Sequence, residues 1–561
     1  MKPLRDLPVC LVDCQTTGSS SKHAHILEVG WGAYRASQPP EAFRADRLET
    51  RLVPLPDDDS IPGRVARMTG IQEQDLAAAE PSSATRSAVS ESLRKTGICV
   101  AHYARFERRF VGPFVAEDPD GDPDIPWLCT HAMATRLYPG LPRRGLRAMA
   151  GYFGHRVPEK KRAGHHAFAT AIVWRHLVDE LRHREGIETL QELQTWLEDT
   201  PEQRPDSLTY SMDRKRRLGL PEAPGTYTFL TSNDDPLYVG KASDLKQRVN
   251  SYFQSRRGLS SRKLEMVTQV DDVRVEPAET ALEAALLESD RIKELEPPYN
   301  RALRTRDRRL RWLSSDATHV ARSPDSSHPF GPLGSRATGQ FLSALRVSLM
   351  GGEPAPGLLR THGDDAEAAA DVLELAFRGG LDLPQDVEAL RRRGIRLWEE
   401  KLQQEDEESQ EDAESKEADD LTPERAVERL ESQLRHATRH IRKARWMQAL
   451  LEADIAWRPT HSRLGEEESA YRVLHVSGGD VVLARWASDE VVDDLLQNPG
   501  HDEPAAPDEP WDIATFDRLA VLVSEIRRLL RTRSGRDSIR LRASGGLHYD
   551  AGSLRAVLRW I

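Results

Sequence analysis

The chain is poor in cysteine, in aromatic residues and in long apolar runs. Its four cysteines, Cys10, Cys14, Cys99 and Cys129, all lie in the first quarter of 561 residues. They form neither a pair of pairs at metal-ligand spacing nor a disulfide framework for the rest, so a reducing, cytoplasmic compartment is expected. No apolar run reaches the roughly 18 residues of a membrane span. Val9 to Val12 is too short for a secretory signal and leads straight into Asp13. Aromatic residues make up 6 % and the apolar set 38 %, against 30 % charged residues, a water-facing composition. One hydrophobic core does not grow to this length, and at about 150 residues per domain three or four domains are expected. No internal repeat is visible.

Positive charge is also in deficit, but unevenly. The net charge is −11, yet Glu405 to Asp420 holds ten acids and one lysine, a local −9, so the remainder carries only −2. A near-neutral remainder has room for basic patches. Arg301, Arg304, Arg306, Arg308, Arg309 and Arg311 crowd one short stretch with a single aspartate, a candidate nucleic-acid contact.

The chain divides as follows. Residues 1–190 alternate strand-like runs with helical stretches, an α/β pattern. Residues 191–218, with Pro201, Pro205 and the run Arg214 to Arg217, read as a basic linker, and 219–303 as a compact domain. Residues 304–400 form a connecting region of little legible pattern. The acidic segment, 401–421, has the composition of disorder. Thr422-Pro423-Glu424 starts a helix expected over 422–458, with Val427, Leu430, Leu434, Ala437, Ile441, Ala444, Gln448, Leu451 and Ile455 on a heptad seam. Packing against another helix of this chain, self-association and a partner helix all fit that seam. Residues 459–561 are expected to be mainly helical α+β, with a hairpin from Tyr471 to Trp486 turning at Gly478-Gly479-Asp480.

The middle domain carries the strongest chemical signal. Two short strands are readable, Gly225 to Leu230 and Leu237 to Gly240, with Tyr227 and Phe229 on one face. Arg248 and Tyr252 share one face if their stretch is helical. Further on, Glu288 stands in an apolar stripe with Ala281, Ala284, Ile292 and Leu295. A carboxylate there needs a compensating cation, either Arg248 or a metal ion. A structural Glu–Arg pair is the competing reading.

Gly225-Thr226-Tyr227, Tyr238-Val239-Gly240-Lys241, Arg248, and the Leu287-Glu288 helix closing on Pro298-Tyr299-Asn300 stand in an order that resembles the GIY-YIG nuclease family. Within that family the segment most resembles the N-terminal nuclease domain of the bacterial UvrC-type excinucleases and their stand-alone homologues. Thr226 replaces the usual isoleucine. The resemblance implies that Glu288 holds one divalent ion, Mg²⁺ or Mn²⁺, completed by water and phosphate oxygens. It implies that Arg248 stabilises charge on the phosphoryl group and that Tyr227 or Tyr238 takes a proton from water. A phenol's ordinary pKa of about 10 makes it a poor base near neutrality, so a cation must lower it, and Lys241 is the nearest candidate. Tyr252 is expected to position phosphate or water. Pro329-Phe330-Gly331-Pro332 resembles a segment that follows the nuclease domain in those excinucleases. The cysteine cluster expected between them is absent, as are a second nuclease domain and a helix-hairpin-helix. One nick rather than two is the expected outcome.

The first region resembles the DnaQ-like 3′–5′ exonucleases, an RNase H-like fold, through Leu11-Val12-Asp13-Cys14-Gln15, Ala101 to Glu107, and His165 to Ala171. The family's four acids are reduced here. Asp13 is present, Gln15 replaces a glutamate, Glu107 stands for an aspartate, and Thr170 replaces the last aspartate. His165 matches the general base. Two metal ions near 4 Å apart need a concentrated negative cage, and half of it is gone. The exonuclease activity is expected to be absent or weak, with one weakly held metal between Asp13 and Glu107 as the open alternative. His102 and His166 read as structural or solvated.

Together the resemblances imply a bacterial-type, structure- or damage-directed DNA endonuclease, and the resemblance to the excinucleases implies a role in nucleotide excision repair. DNA and an excision-repair helicase or damage-recognition protein are the expected partners. No membrane is expected, and the oligomeric state is left open. A two-nuclease enzyme and a non-catalytic repair adaptor are the alternatives.

Overall fold

The computed structural model describes residues 2–56, 59–121, 124–202, 207–254, 259–305, 308–314, 319–328, 330–334, 440, 442–459, 470–497, 511–532 and 538–558. The acidic segment, most of the connecting region, and Arg306 lie outside these.

The N-terminal region is built on a mixed five-stranded sheet in the order β3-β2-β1-β4-β5. These are Val9–Thr16 (β1), Ile26–Tyr34 (β2), Glu49–Leu52 (β3), Cys99–Ala101 (β4) and Trp127–Cys129 (β5). β1 runs antiparallel to β2 and parallel to β4. It is buried along nearly all its length because helices cover both faces, which explains its unbroken apolar run. Odd-numbered positions, Asp13 and Gln15 among them, face the helix Ala163–Glu180. That helix crosses at Gly30, where a Cβ would lie 2.6 Å from the Ala163 backbone. This mixed α/β sheet is the architecture expected for the region.

The expected linker is in part a packed helix. Leu190–Asp199 starts at a Thr189 capping box with Glu192 and buries Leu193 in the N-terminal core, alongside Trp196 and Leu197. The apolar spacing of these three outweighs the prolines that follow.

The middle domain is a three-stranded antiparallel sheet, β7-β6-β8, from Gly225–Leu230 (β6), Pro236–Ala242 (β7) and Asp272–Pro277 (β8). The register sets Tyr227 opposite Gly240 and Phe229 opposite Tyr238. A Cβ at Gly240 would lie 2.4 Å from the Tyr227 hydroxyl, so glycine is what lets the ring lie across the neighbouring strand. Asp244 caps the helix Leu245–Ser251 by accepting from the Gln247 N–H. Thr280 caps the helix Ala281–Leu295, which lies against β6 and β7.

A small sheet follows in the order β10-β9-β11, from Arg311–Leu313 (β9), Val320–Ala321 (β10) and Phe330–Leu333 (β11). The C-terminal region contains a second five-stranded sheet, β14-β13-β12-β15-β16. Its strands are Ala453–Trp457 (β12), Tyr471–Ser477 (β13), Asp480–Ala487 (β14), Arg540–Ala543 (β15) and Leu547–Tyr549 (β16). The hairpin is present with its turn at Gly478-Gly479. The heptad helix does not run to 458. Residues 442–449 are helical, and Ile455 then pairs in β12 with Leu474 and Leu541. A sheet core satisfies its apolar spacing instead. The seam from Val427 to Ala437, with Ile441, lies outside the described residues.

The C-terminal region does not stand apart from the middle domain. Leu282 and Leu286 share one hydrophobic cluster with Trp312, Trp457, Leu519, Leu522 and Val523. The helix Ile513–Leu529 lies along Ala281–Leu295, bound through Lys293 and Arg308 to Asp517 and through Arg518 to Asp290.

Candidate active site

Tyr227 and Tyr238 of the middle sheet and Tyr252 at the end of the helix Leu245–Ser251 bring three phenols together. The Tyr227 and Tyr252 hydroxyls lie 3.0 Å apart, and the Arg248 guanidinium sits 5.2 Å above the Tyr252 ring with Nη2 3.4 Å from its hydroxyl. The expected pairing of Arg248 with Tyr252 is therefore present. Tyr227 and Tyr252 are buried, whereas Tyr238 is partly open. Burial pushes the Tyr227 and Tyr238 phenols well above their ordinary range, and Arg248 is the cation that opposes it.

Lys241 does not have the role expected of it. Its ammonium lies 2.6 Å from Glu525 and 4.0 Å from Glu288, turned to carboxylates rather than phenols. The reason is charge. Glu288 is only 16 % exposed at its side chain, and burial raises its carboxyl above the usual range against the pull of Lys241. The cation that the apolar stripe required is thus chiefly Lys241, with Arg248 contributing less. Lys241, Arg248 and Arg528 border a cleft of about 540 Å³ beside these groups. One part-buried carboxylate beside Lys241, which lines that cleft, suits a single divalent ion that keeps most of its water.

The N-terminal site is organised differently. Asp13 Oδ2 accepts from Gln15 Nε2 at 2.8 Å, and Asp13 Oδ1 lies 3.3 Å from His166 Nδ1. Glu107 accepts from the Cys14 backbone N–H at 2.8 Å, and burial, reinforced by Asp13, raises its carboxyl well above the usual range. Thr170 Oγ1 is buried without a hydrogen-bond partner. His166, read from sequence as structural or solvated, is the histidine at Asp13. His165 is set back from it, its Nδ1 buried without a partner and its pKa lowered by burial and then by Arg44 and Arg162. Helical phase decides this, since adjacent residues point about 100° apart. His102 is structural as expected, bonded to Thr130 and to the Arg144 carbonyl. Among the described residues no group of three or more histidines, cysteines and acids could hold a metal ion.

The arginine stretch is mostly structural. Arg304 pairs with Glu159 at 2.5 Å, Arg308 binds Asp517 through both terminal nitrogens, and Arg311 is buried in β9. Arg301 and Arg309 are exposed.

Glu525 and Arg528 were missed from sequence. The signal was available, because Asp517 and Glu525 are acids among the buried Leu519, Leu522, Val523 and Ile526 of one helix, the same irregularity that marks Glu288. Glu28, fully buried against Arg162 and the Ala163 N–H, was missed for want of any pattern around it.

Residues 223–301 match the family of UvrC-like GIY-YIG domains. The chain is 41 % identical over 129 residues to UvrABC system protein C of Symbiobacterium thermophilum, covering 22 % of this chain and 20 % of that protein. It is 28 % identical over 305 residues to a putative bifunctional exonuclease/endonuclease protein of Mycobacterium tuberculosis, covering 52 % of this chain and 45 % of that one. The chain thus spans less than half the length of these relatives. Among solved structures it is similar to the GIY-YIG N-terminal endonuclease domain of UvrC from Thermotoga maritima bound to magnesium, at 32 % identity and a TM-score of 0.15, covering 16 % of this chain and 94 % of that one. It is also similar to exonuclease X in complex with 5′ overhanging duplex DNA, at 20 % identity and a TM-score of 0.23, covering 32 % and 93 %.

Proposed function

We propose that the chain, which joins an exonuclease-like N-terminal region to a UvrC-like GIY-YIG domain, is a metal-dependent DNA endonuclease making a single phosphodiester incision in nucleotide excision repair. The observation that carries this is Glu288, a part-buried carboxylate set beside two cations and an open cleft. Glu288 would hold Mg²⁺ or Mn²⁺, which supplies Lewis-acid stabilisation of the phosphoryl and leaving oxygens. Arg248, held over Tyr252, would meet charge developing on the phosphoryl oxygens. Tyr238, the open phenol, would orient the attacking water, while Tyr227 and Tyr252 hold Arg248 and the sheet in place. A phenol whose pKa burial has raised is a hydrogen-bonding group near neutrality rather than a base.

The exonuclease-fold region would bind DNA or a partner without cutting. Gln15 and His166 already occupy both oxygens of Asp13, and Thr170 brings no charge. A damage-recognition protein or helicase would deliver the substrate, since the chain's likeness is to one component of a multi-protein system.

End-labelled duplex carrying a bulky lesion, incubated with wild type, Glu288→Ala and Asp13→Ala in Mg²⁺ and in Mn²⁺, tests both statements. Discrete nicks that fall about 10³-fold or more only in Glu288→Ala are expected. A ladder of shortened 3′ ends that disappears in Asp13→Ala would make the chain a two-nuclease enzyme. An uncut substrate with all three proteins would leave the adaptor reading.

A further inference from the structure

Glu525 and Lys241 meet across 284 residues of sequence, beside Glu288 and at the edge of the cleft that Lys241 lines. We infer that the C-terminal region supplies two working parts of this cleft: Arg528 as a ligand for a DNA backbone phosphate, and Glu525 as the positioning residue for Lys241. The inference rests on the nuclease reading of the cleft.

Lys241 Nζ stands between two carboxylates, 2.6 Å from Glu525 and 4.0 Å from Glu288. Glu525 is 5 % exposed and so competes strongly for a cation. With Glu525 neutralised, Glu288 is the carboxylate left for Lys241, and the ammonium would then oppose any divalent ion there. Glu525 therefore keeps Glu288 available while holding positive charge beside it.

The second oxygen of Glu525 accepts from Arg528 Nε at 2.6 Å. Arg528 is 52 % exposed at its side chain and lines the cleft with Lys241, Gln247, Arg248 and Gln254. The acid on that rim, Asp244, is engaged with the Gln247 N–H at 2.8 Å. The rim thus carries three cations and one committed carboxylate, a surface suited to phosphate. A planar guanidinium fork matches two phosphate oxygens. Anchoring of the helix does not account for Arg528. Asp517 with Lys293 and Arg308, Arg518 with Asp290, and the buried leucines already fix Ile513–Leu529. The Glu525–Arg528 pair lies within that one helix and so ties it to no other element.

The test compares full-length wild type, Arg528→Ala, Arg528→Lys and Glu525→Gln. Anisotropy of a labelled duplex would be measured over a salt series, and nicking over duplex and Mg²⁺ series, with melting curves for each protein. Arg528→Ala is expected to raise KM about tenfold with kcat little changed, and to reduce the salt slope of log affinity by about one; Arg528→Lys keeps the slope. Glu525→Gln is expected to raise the Mg²⁺ needed for half-maximal nicking about tenfold, with kcat recovered at saturating Mg²⁺. An Arg528→Ala protein that melts as wild type and keeps its KM and salt slope overturns the phosphate role. A Glu525→Gln protein with an unchanged Mg²⁺ requirement overturns the positioning role. If wild type binds duplex without nicking it, the nuclease reading fails, while the salt slope of Arg528→Ala still decides the phosphate contact.

Discussion

Two regions of the molecule each bury carboxylates where helices pack against a sheet, and they manage the charge in opposite ways. In the N-terminal site the partners of the acids are neutral or titratable: an amide, an imidazole, a backbone N–H and another acid. In the middle domain the acid is flanked by permanent cations, Lys241 and Arg248, beside open space. The first arrangement satisfies the acids internally and leaves little negative field for metal ions. The second leaves one negative charge in a cationic setting that also suits a polyanion. The number of acids therefore matters less than what already bonds to them.

Removing the cation sharpens this contrast. Arg248→Ala is expected to lower nicking about 10²- to 10³-fold at saturating metal, read by single-turnover cleavage. Of the phenols, Tyr238→Phe is expected to cost about 10²-fold and Tyr227→Phe clearly less, because the Tyr227 hydroxyl is buried against Tyr252 and away from solvent. Equal losses in the two would mean that the buried phenol reaches the reaction.

Rebuilding the lost cage would abolish the contrast. Gln15→Glu with Thr170→Asp adds two carboxylates to Asp13 and Glu107. Without metal this protein should melt lower than wild type, and Mn²⁺ should restore it by about 2.7 kcal/mol at a concentration 100 times the dissociation constant. Wild type should show no such Mn²⁺-dependent gain in its N-terminal transition, followed by calorimetry.

A smaller effect is set by His102. Burial holds its pKa at about 3, from an ordinary 6.5. The unfolded chain therefore binds more protons than the folded one between these values, and stability falls as pH drops from about 6.5 toward 3. The slope approaches about 1.4 kcal/mol per pH unit once the unfolded-state histidine is fully protonated. Urea midpoints between pH 7 and pH 5 should fall for wild type and fall less for His102→Gln.

Much of the middle site was legible because its parts lie close in sequence and each has a local signature. Gly240 was readable as a motif residue, and its reason is the Tyr227 ring laid over it. Arg248 and Tyr252 were readable as one helical face, and Glu288 as a charge in an apolar stripe. The histidine assignment was less secure, since His165 and His166 are adjacent and only the pose of their helix on β1 picks one. The arginine stretch was misread because composition shows a charge without showing its partner. Arg304 and Arg308 direct theirs to Glu159 and Asp517.

Local sequence specifies two of the three strands of the middle sheet, the helices that carry Arg248 and Glu288, the candidate phenols and carboxylate, and the loss of charge at Gln15 and Thr170. These depend on spacing and side-chain chemistry within a few turns of chain. That Ile455 belongs to a strand, that His166 meets Asp13, and that Lys241 answers to Glu525 emerged with the packed fold alone. Each of those depends on a contact between segments or on the pose of a whole helix, and a buried charge takes whichever partner the packing brings within reach.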